Sequence, residues 1–228
     1  MKKVILIPTV AIALVSSGYA MDKKNNPAKS GLVFEAQVSA NVTPDQTFDQ
    51  AKDDAIALGA SSTEDRNIGI GGGLFIGYDY AFHPNMTIGG KVGYRYMYEV
   101  NYFKTDVGGN DLNFKLNINS FPVLATWKYF FNSGWLVGVD AGVDIQRWTI
   151  DGDNSTLSVS QSHDSNWNVA PMVGLSGGYK WQNGLALTGS LSYVFGHSTN
   201  DIKVNGDDDN DALAVWTFGL NLSYTLPL

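Results

Sequence analysis

The sequence predicts an all-β protein, an eight-stranded antiparallel up-and-down barrel that crosses a membrane, with short turns at one end and long connections at the other. Three observations predict it. From Gly31 to the C-terminus, apolar and polar residues alternate with a period of two, the mark of strands with one apolar face. Tight turns of Pro, Gly and Asn alternate with long polar connections, as in a transmembrane barrel. Most of the 28 aromatic residues (11 Phe, 11 Tyr, 6 Trp) share the apolar face. The interior of an eight-stranded barrel admits only modest side chains or one small ligand, so that face must point outward into lipid.

The strands follow in order. The first places Leu32, Phe34, Ala36, Val38, Ala40 and Val42 on one face, with Glu35, Gln37, Ser39 and Asn41 on the other. The second runs from Ile68 through Leu74 and Tyr78 to Phe82, and the third from Met86 through Tyr94, Tyr96 and Tyr98 to Val100. The fourth starts as Leu112, Phe114, Leu116 and Ile118 and finishes as Val123, Ala125, Trp127, Tyr129 and Phe131. That change of parity predicts a bulge near Ser120 to Pro122. The fifth covers Trp135 to Ile145, the sixth Trp167 to Trp181, the seventh Leu185 to Phe195 and the eighth Trp216 to Leu226.

Three connections are tight, His83-Pro84-Asn85, Asn132-Ser133-Gly134 and Gln182-Asn183-Gly184, with the residues that hairpin turns require. Four are long, about 43 to 67, 104 to 111, 151 to 166 and 198 to 212, and they hold 16 of the 22 acidic residues. Aromatics flank both kinds of connection, which predicts two interfacial girdles. Within the predicted spans the lipid face carries no charge, while ten charges fall on the lumen face. They are Glu35, Asp79, Glu99, Asp140 and Asp144 against Lys91, Arg95, Lys115, Lys128 and Lys180. Buried charges persist when paired, so three neutral layers are expected. Glu35 and Asp79 would face Lys128 and Lys180 lowest, Lys91 would face Asp140 in the middle, and Arg95 and Lys115 would face Glu99 and Asp144 above.

The first twenty residues are an address. Lys2 and Lys3 precede the apolar run Val4 to Val15, and small residues follow up to Ala20. This is a secretory signal peptide over 1–20, too short and too interrupted by Pro8 to span a bilayer as a helix. Residues 21–30 form a flexible lead and 31–228 the barrel. The chain has no cysteine, which excludes disulfides, thiolate zinc sites and cysteine nucleophiles. A formal charge of −7 excludes nucleic acid as a natural partner.

The segment Phe121-Pro122-Val123-Leu124-Ala125-Thr126-Trp127-Lys128-Tyr129-Phe130-Phe131 resembles the central strand of the small outer-membrane barrels of Gram-negative bacteria. That group contains the transmembrane domain of outer-membrane protein A, outer-membrane protein X and the opacity proteins. The end, Ser223-Tyr224-Thr225-Leu226-Pro227-Leu228, is similar to the family's terminal insertion signal, with Leu228 in place of the usual aromatic. The resemblance covers residues 31 to 228. It implies a monomer in the cell outer membrane, a periplasmic lead, contact with lipid and lipopolysaccharide, and insertion by the barrel assembly machinery.

Other motifs carry less chemistry. Thr43, Pro44 and Gln46 open a capped helix closed by Gly59, which fits a solvated loop helix or a lid over the barrel mouth. Asp151-Gly152-Asp153-Asn154-Ser155 and Asp207-Asp208-Asp209-Asn210-Asp211 offer oxygens to calcium, yet the first lacks the Gly and bidentate Glu of a calcium loop. His197-Ser198-Thr199-Asn200 resembles the His-x-Ser-Asn of the outer-membrane lipid A deacylases, but Thr199 replaces the nucleophilic Ser, and only Asp209 or Asp211 could orient His197. His83 is a turn residue and His163 a loop residue, and no two histidines of the chain stand at ligand spacing. The expectation is therefore no catalytic set, no metal and no cofactor. The function expected is a structural and interaction role, including adhesion to a host or surface ligand, through exposed loops over a lumen sealed by salt bridges. The alternative is a narrow, porin-like channel of low conductance.

Overall fold

The computed structural model describes residues 27–43, 62–107, 110–154, 159–196 and 212–228. The expected signal peptide, the expected loop helix beyond Thr43 and the acidic run 207–211 lie outside these residues. Among the described residues ten strands are formed: β1 (Gly31–Val42), β2 (Ser62–Arg66), β3 (Ile68–His83), β4 (Met86–Val107), β5 (Asn110–Phe130), β6 (Trp135–Asn154), β7 (Val159–Asp164), β8 (Asn168–Lys180), β9 (Leu185–Val194) and β10 (Val215–Pro227). Eight of them close a ring, β1-β3-β4-β5-β6-β8-β9-β10, in which β10 pairs with β1 from Gly31↔Pro227 to Val42↔Trp216. β2 continues the line of β3 alongside β4, and β7 continues the line of β8 alongside β6. Closure leaves no open edge in lipid, where an unpaired backbone group costs several kcal/mol.

The outer wall is apolar. Ile70, Leu74 and Val169 are 64% or more exposed, a contiguous surface that only lipid can cover. The lower girdle holds Trp135 against Tyr179 and Tyr129 against Phe131, with ring centroids 5.8 and 5.0 Å apart. The upper girdle holds Tyr94, Phe121 and Trp167 in a chain at 5.1 and 5.3 Å, with Tyr193 and Trp216 at 4.5 Å. Gly134 and Gly184 close two tight turns at φ +90° and +89°, a backbone that side-chain-bearing residues resist. At the base, the last part of the lead expected to be flexible is held in place. Ala28 is buried, its N–H donates to the Pro84 carbonyl at 3.1 Å, and Ser30 Oγ accepts the Ala81 N–H at 2.9 Å.

Three expectations change in the upper half. The connections 104–111 and 151–166 are largely strand, because β4 and β5 run on as one hairpin and β6 pairs with β7 above the girdle. The irregularity lies on β4, not at Ser120 to Pro122: pairing passes from Met97↔Ile118 to Asn101↔Leu116, and Glu99 stands at φ +47°. β5 pairs with β6 without interruption. Leu116 and Ile118 on β5, and Val100 on β4, therefore face inward instead of into lipid, with Phe114 packed against them. The physical reason is height. Above the girdle there is no lipid to meet, so apolar side chains turn to the barrel axis and the polar alternates, Asn113, Lys115, Asn117 and Asn119, form the outside.

Candidate functional site

The lumen is a stack of layers. At the base Phe130, Leu136, Ala186 and Ala28 form an apolar floor. Above it Lys128 Nζ meets Asp79 at 2.8 Å, and Lys180 Nζ lies 5.0 Å from the centre of the Phe130 ring. In the middle Lys91 bridges two carboxylates, Asp140 at 3.0 Å and Glu35 at 3.4 Å. Higher still, Arg95 Nη2 donates to Asp144 at 2.8 Å and to Ser120 Oγ at 3.1 Å, and the Ser120 hydroxyl donates to Asp144. Arg95 and Asp144 are 2% and 0% exposed, a depth at which an ion pair persists only with its remaining lone pairs and protons satisfied.

Period-two geometry explains why these groups meet. Inward positions of adjacent strands stand opposite one another, as Lys91 does between Gly77 and Leu124 and as Asp144 does between Pro122 and Ala170. Inward glycines keep the bore open for long side chains. Phe75 faces Gly93 directly, and a Cβ on Gly93 would lie 2.3 Å from the Phe75 ring. Gly93→Ala is expected to cost about 1–3 kcal/mol by overpacking, read as a lowered urea midpoint in heat-modifiable gel migration. The ring also lies 5.3 Å from Lys91 Nζ, so the displacement reaches the middle ion pairs.

Two of the ten charges expected in the lumen are elsewhere. Glu99 and Lys115 sit on the outer wall above the upper girdle, paired at 2.7 Å, with Arg66 of β2 on the other Glu99 oxygen at 2.8 Å. The β4 irregularity puts Glu99 there, and Lys115 shares the outward face of Tyr102. Two pairings also differ from the expected layers: Glu35 joins Lys91 instead of the lower layer, and Lys180 has no carboxylate within ion-pair distance among the described residues. The wall continues with Asn117 donating to Asp151 at 2.9 Å, Tyr94 donating to Asn119 at 2.7 Å, and Arg147 paired with Asp164. The ion pairs of Arg66 with Glu99 and of Arg147 with Asp164 are open to solvent on at least one side and add little stability, and Glu99→Ala is expected to shift the urea midpoint by less than the equivalent of about 1 kcal/mol.

Sequence reasoning missed the seal at the mouth. Met97, Val100, Phe103, Leu116, Ile118, Trp148, Ile150, Leu213 and Val215 form one buried apolar cluster. Leu213 reaches it from Ala212–Ala214, the stretch before β10, and its N–H donates to Gln146 Oε1 at 3.0 Å. Gln146 Nε2 in turn donates to Asp144 at 3.0 Å, so the stopper is tied to the buried ion pair. The available signal was the tripeptide Ala212-Leu213-Ala214, apolar residues between an acidic run and a strand. Between floor and stopper remains a cavity of about 50 Å³. Of the other candidate residues, His197, Thr199, Asp209 and Asp211 lie outside the described residues, and among the described residues no group of three His, Asp or Glu could hold a metal ion.

A closed ring that shows lipid an apolar wall between two aromatic girdles and keeps its charges inside is an integral β-barrel of the outer-membrane type. No family model and no curated protein matches the chain. The solved structures similar to it include three small barrels. The attachment invasion locus protein Ail of Yersinia pestis shares 8% identity at a TM-score of 0.42, over 86% of this chain and 99% of that one. Neisserial surface protein A shares 11% at 0.45, over 87% and 100%. OprG of Pseudomonas aeruginosa shares 14% at 0.45, over 87% and 98%.

Proposed function

We propose that this chain is a non-conducting, non-enzymatic outer-membrane barrel that serves as a structural and interaction protein, with adhesion through its extracellular wall. The observation that carries this reading is the lumen. Apolar layers close both ends, the charges between them are largely cross-linked, and the residual cavity of about 50 Å³ has room for a few small molecules at most. A transport route would need a continuous wet path. What the protein offers its surroundings is instead the sheet β2-β4-β5-β6-β7 raised above the girdle, whose outer face carries Arg66, Tyr102, Lys104, Asn113, Lys115, Asp151 and Asp153.

The test has two arms. Purified protein in planar bilayers is expected to give no large stable current, and Glu99→Ala is expected to leave the recording unchanged because Glu99 lies outside the lumen. Large stable currents would favour the narrow-channel alternative. In the second arm, the hairpin of β4 and β5 is shortened to a turn joining Met97 to Ile118, and cells displaying either form are compared for surface attachment and envelope integrity. Loss of attachment with intact envelopes supports adhesion. Unchanged attachment sinks the adhesive part and leaves a purely architectural role.

A further inference from the structure

Charge in the lumen balances in number but not in space. Four cations, Lys91, Arg95, Lys128 and Lys180, face four carboxylates, Glu35, Asp79, Asp140 and Asp144. Every carboxylate is committed: Asp79 to Lys128, Asp144 to Arg95, and both Glu35 and Asp140 to Lys91. Because Lys91 takes two, Lys180 is left with none among the described residues. Its ammonium lies 5.0 Å from the centre of the Phe130 ring, which supplies a small part of what a counter-ion supplies. A desolvated ammonium without a counter-charge is costly.

The surroundings of Lys180 suit an anion. It lines the lumenal cavity together with Thr188, Ser190, Ser223 and Thr225, whose hydroxyl groups can each donate a hydrogen bond; Asn221 already donates its amide to Ser190 and Thr188, and the carboxylates of the same cavity, Glu35, Asp79 and Asp140, are turned to Lys91 and Lys128. The same cavity meets Lys128, whose charge is already balanced by Asp79. The space exceeds the minimum for a single water, and at about 50 Å³ it takes a small ion with a water or two. A multiply charged anion would bring more charge than one uncommitted cation balances.

We propose that the lower lumen is a binding site for one small monovalent anion, chloride in its simplest form, held between the Lys180 ammonium and the hydroxyl-bearing wall of β9 and β10. The ion completes the neutrality of the lower layer and acts as a structural ligand of the folded barrel. Access requires only transient opening of the floor formed by Ala28, Phe130, Leu136 and Ala186.

The register supplies a substitution that mimics the ion. Lys180 pairs with Ala186, and Ala186 is buried on the same inward row, so Ala186→Asp places a carboxylate directly beside the ammonium. The experiment folds the full barrel into phosphatidylcholine vesicles and measures the urea midpoint as sodium chloride replaces sodium gluconate at constant ionic strength. A ligand that binds only the folded state raises the folding constant as 1 + [L]/Kd. For the wild type, the folding constant is expected to approach a tenfold gain for each tenfold rise in chloride above Kd. Lys180→Met and Ala186→Asp are both expected to remove that dependence, and Ala186→Asp does so without leaving a bare cation, which covers the case in which Lys180→Met fails to fold. A wild-type midpoint indifferent to chloride would overturn the site, as would a chloride dependence that persists in Ala186→Asp.

Discussion

Replacing Arg95 by alanine is expected to destabilise the barrel by about 3–5 kcal/mol, the cost of leaving a buried charge without its partner. Asp144 is fully buried, and its other contacts come from Ser120 and Gln146, which are neutral donors. The effect reaches further than the pair. Gln146 holds the Leu213 N–H as well as Asp144, so a carboxylate freed from Arg95 recruits Gln146 and loosens the stopper. The double variant Arg95→Met with Asp144→Leu is expected to recover most of the loss, since well-packed apolar replacements of buried ion pairs are often neutral or stabilising. Urea midpoints of the two single variants and the double variant decide it. A small penalty in Arg95→Ala, or a double variant as weak as the single, would show that the pair is not what fixes this layer.

The second large effect is expected at Trp148, which is 1% exposed and the largest side chain of the cluster at the mouth. Trp148→Ala removes the bulk against which Leu213 and Ile150 pack, and large-to-small changes of this kind cost about 3–5 kcal/mol. The cavity it leaves lies in the seal itself, so the same variant is expected to pass small ions in a planar bilayer where the wild type passes none. A stability loss with no conductance would mean that the floor and the ion pairs below the mouth suffice to close the bore. Unchanged stability would contradict the packing at the mouth.

The two effects fall in regions that were unequally legible in the sequence. Ring closure, the outward aromatics and the inward charges of the lower half followed from strict alternation, because lipid on one side and a narrow polar bore on the other leave each residue one acceptable face. Leu112 to Ile118 misled for a specific reason: an apolar alternate looks the same whether it faces lipid or a core. The clue was height. Tyr94, Phe121 and Trp167 mark the upper boundary of the lipid, and unbroken parity from Phe121 back to Asn119 and Asn117 places the polar residues outside. The irregularity at Glu99 gave no such clue, since a positive φ is ordinarily announced by Gly or Asn. The lower pairings were ambiguous because Lys91 can reach two carboxylates, a choice that only side-chain geometry makes.

Because the raised hairpins are strands and not loops, their capacity to vary is itself periodic. Phe103, Leu116, Trp148 and Ile150 point inward and are held by the seal, while Tyr102, Lys104, Lys115 and Asp151 between them point outward and take no part in it. Substitutions in the wall are therefore expected to be tolerated at every second residue. A scan of single substitutions would read along each strand as a comb, fixed teeth alternating with free ones.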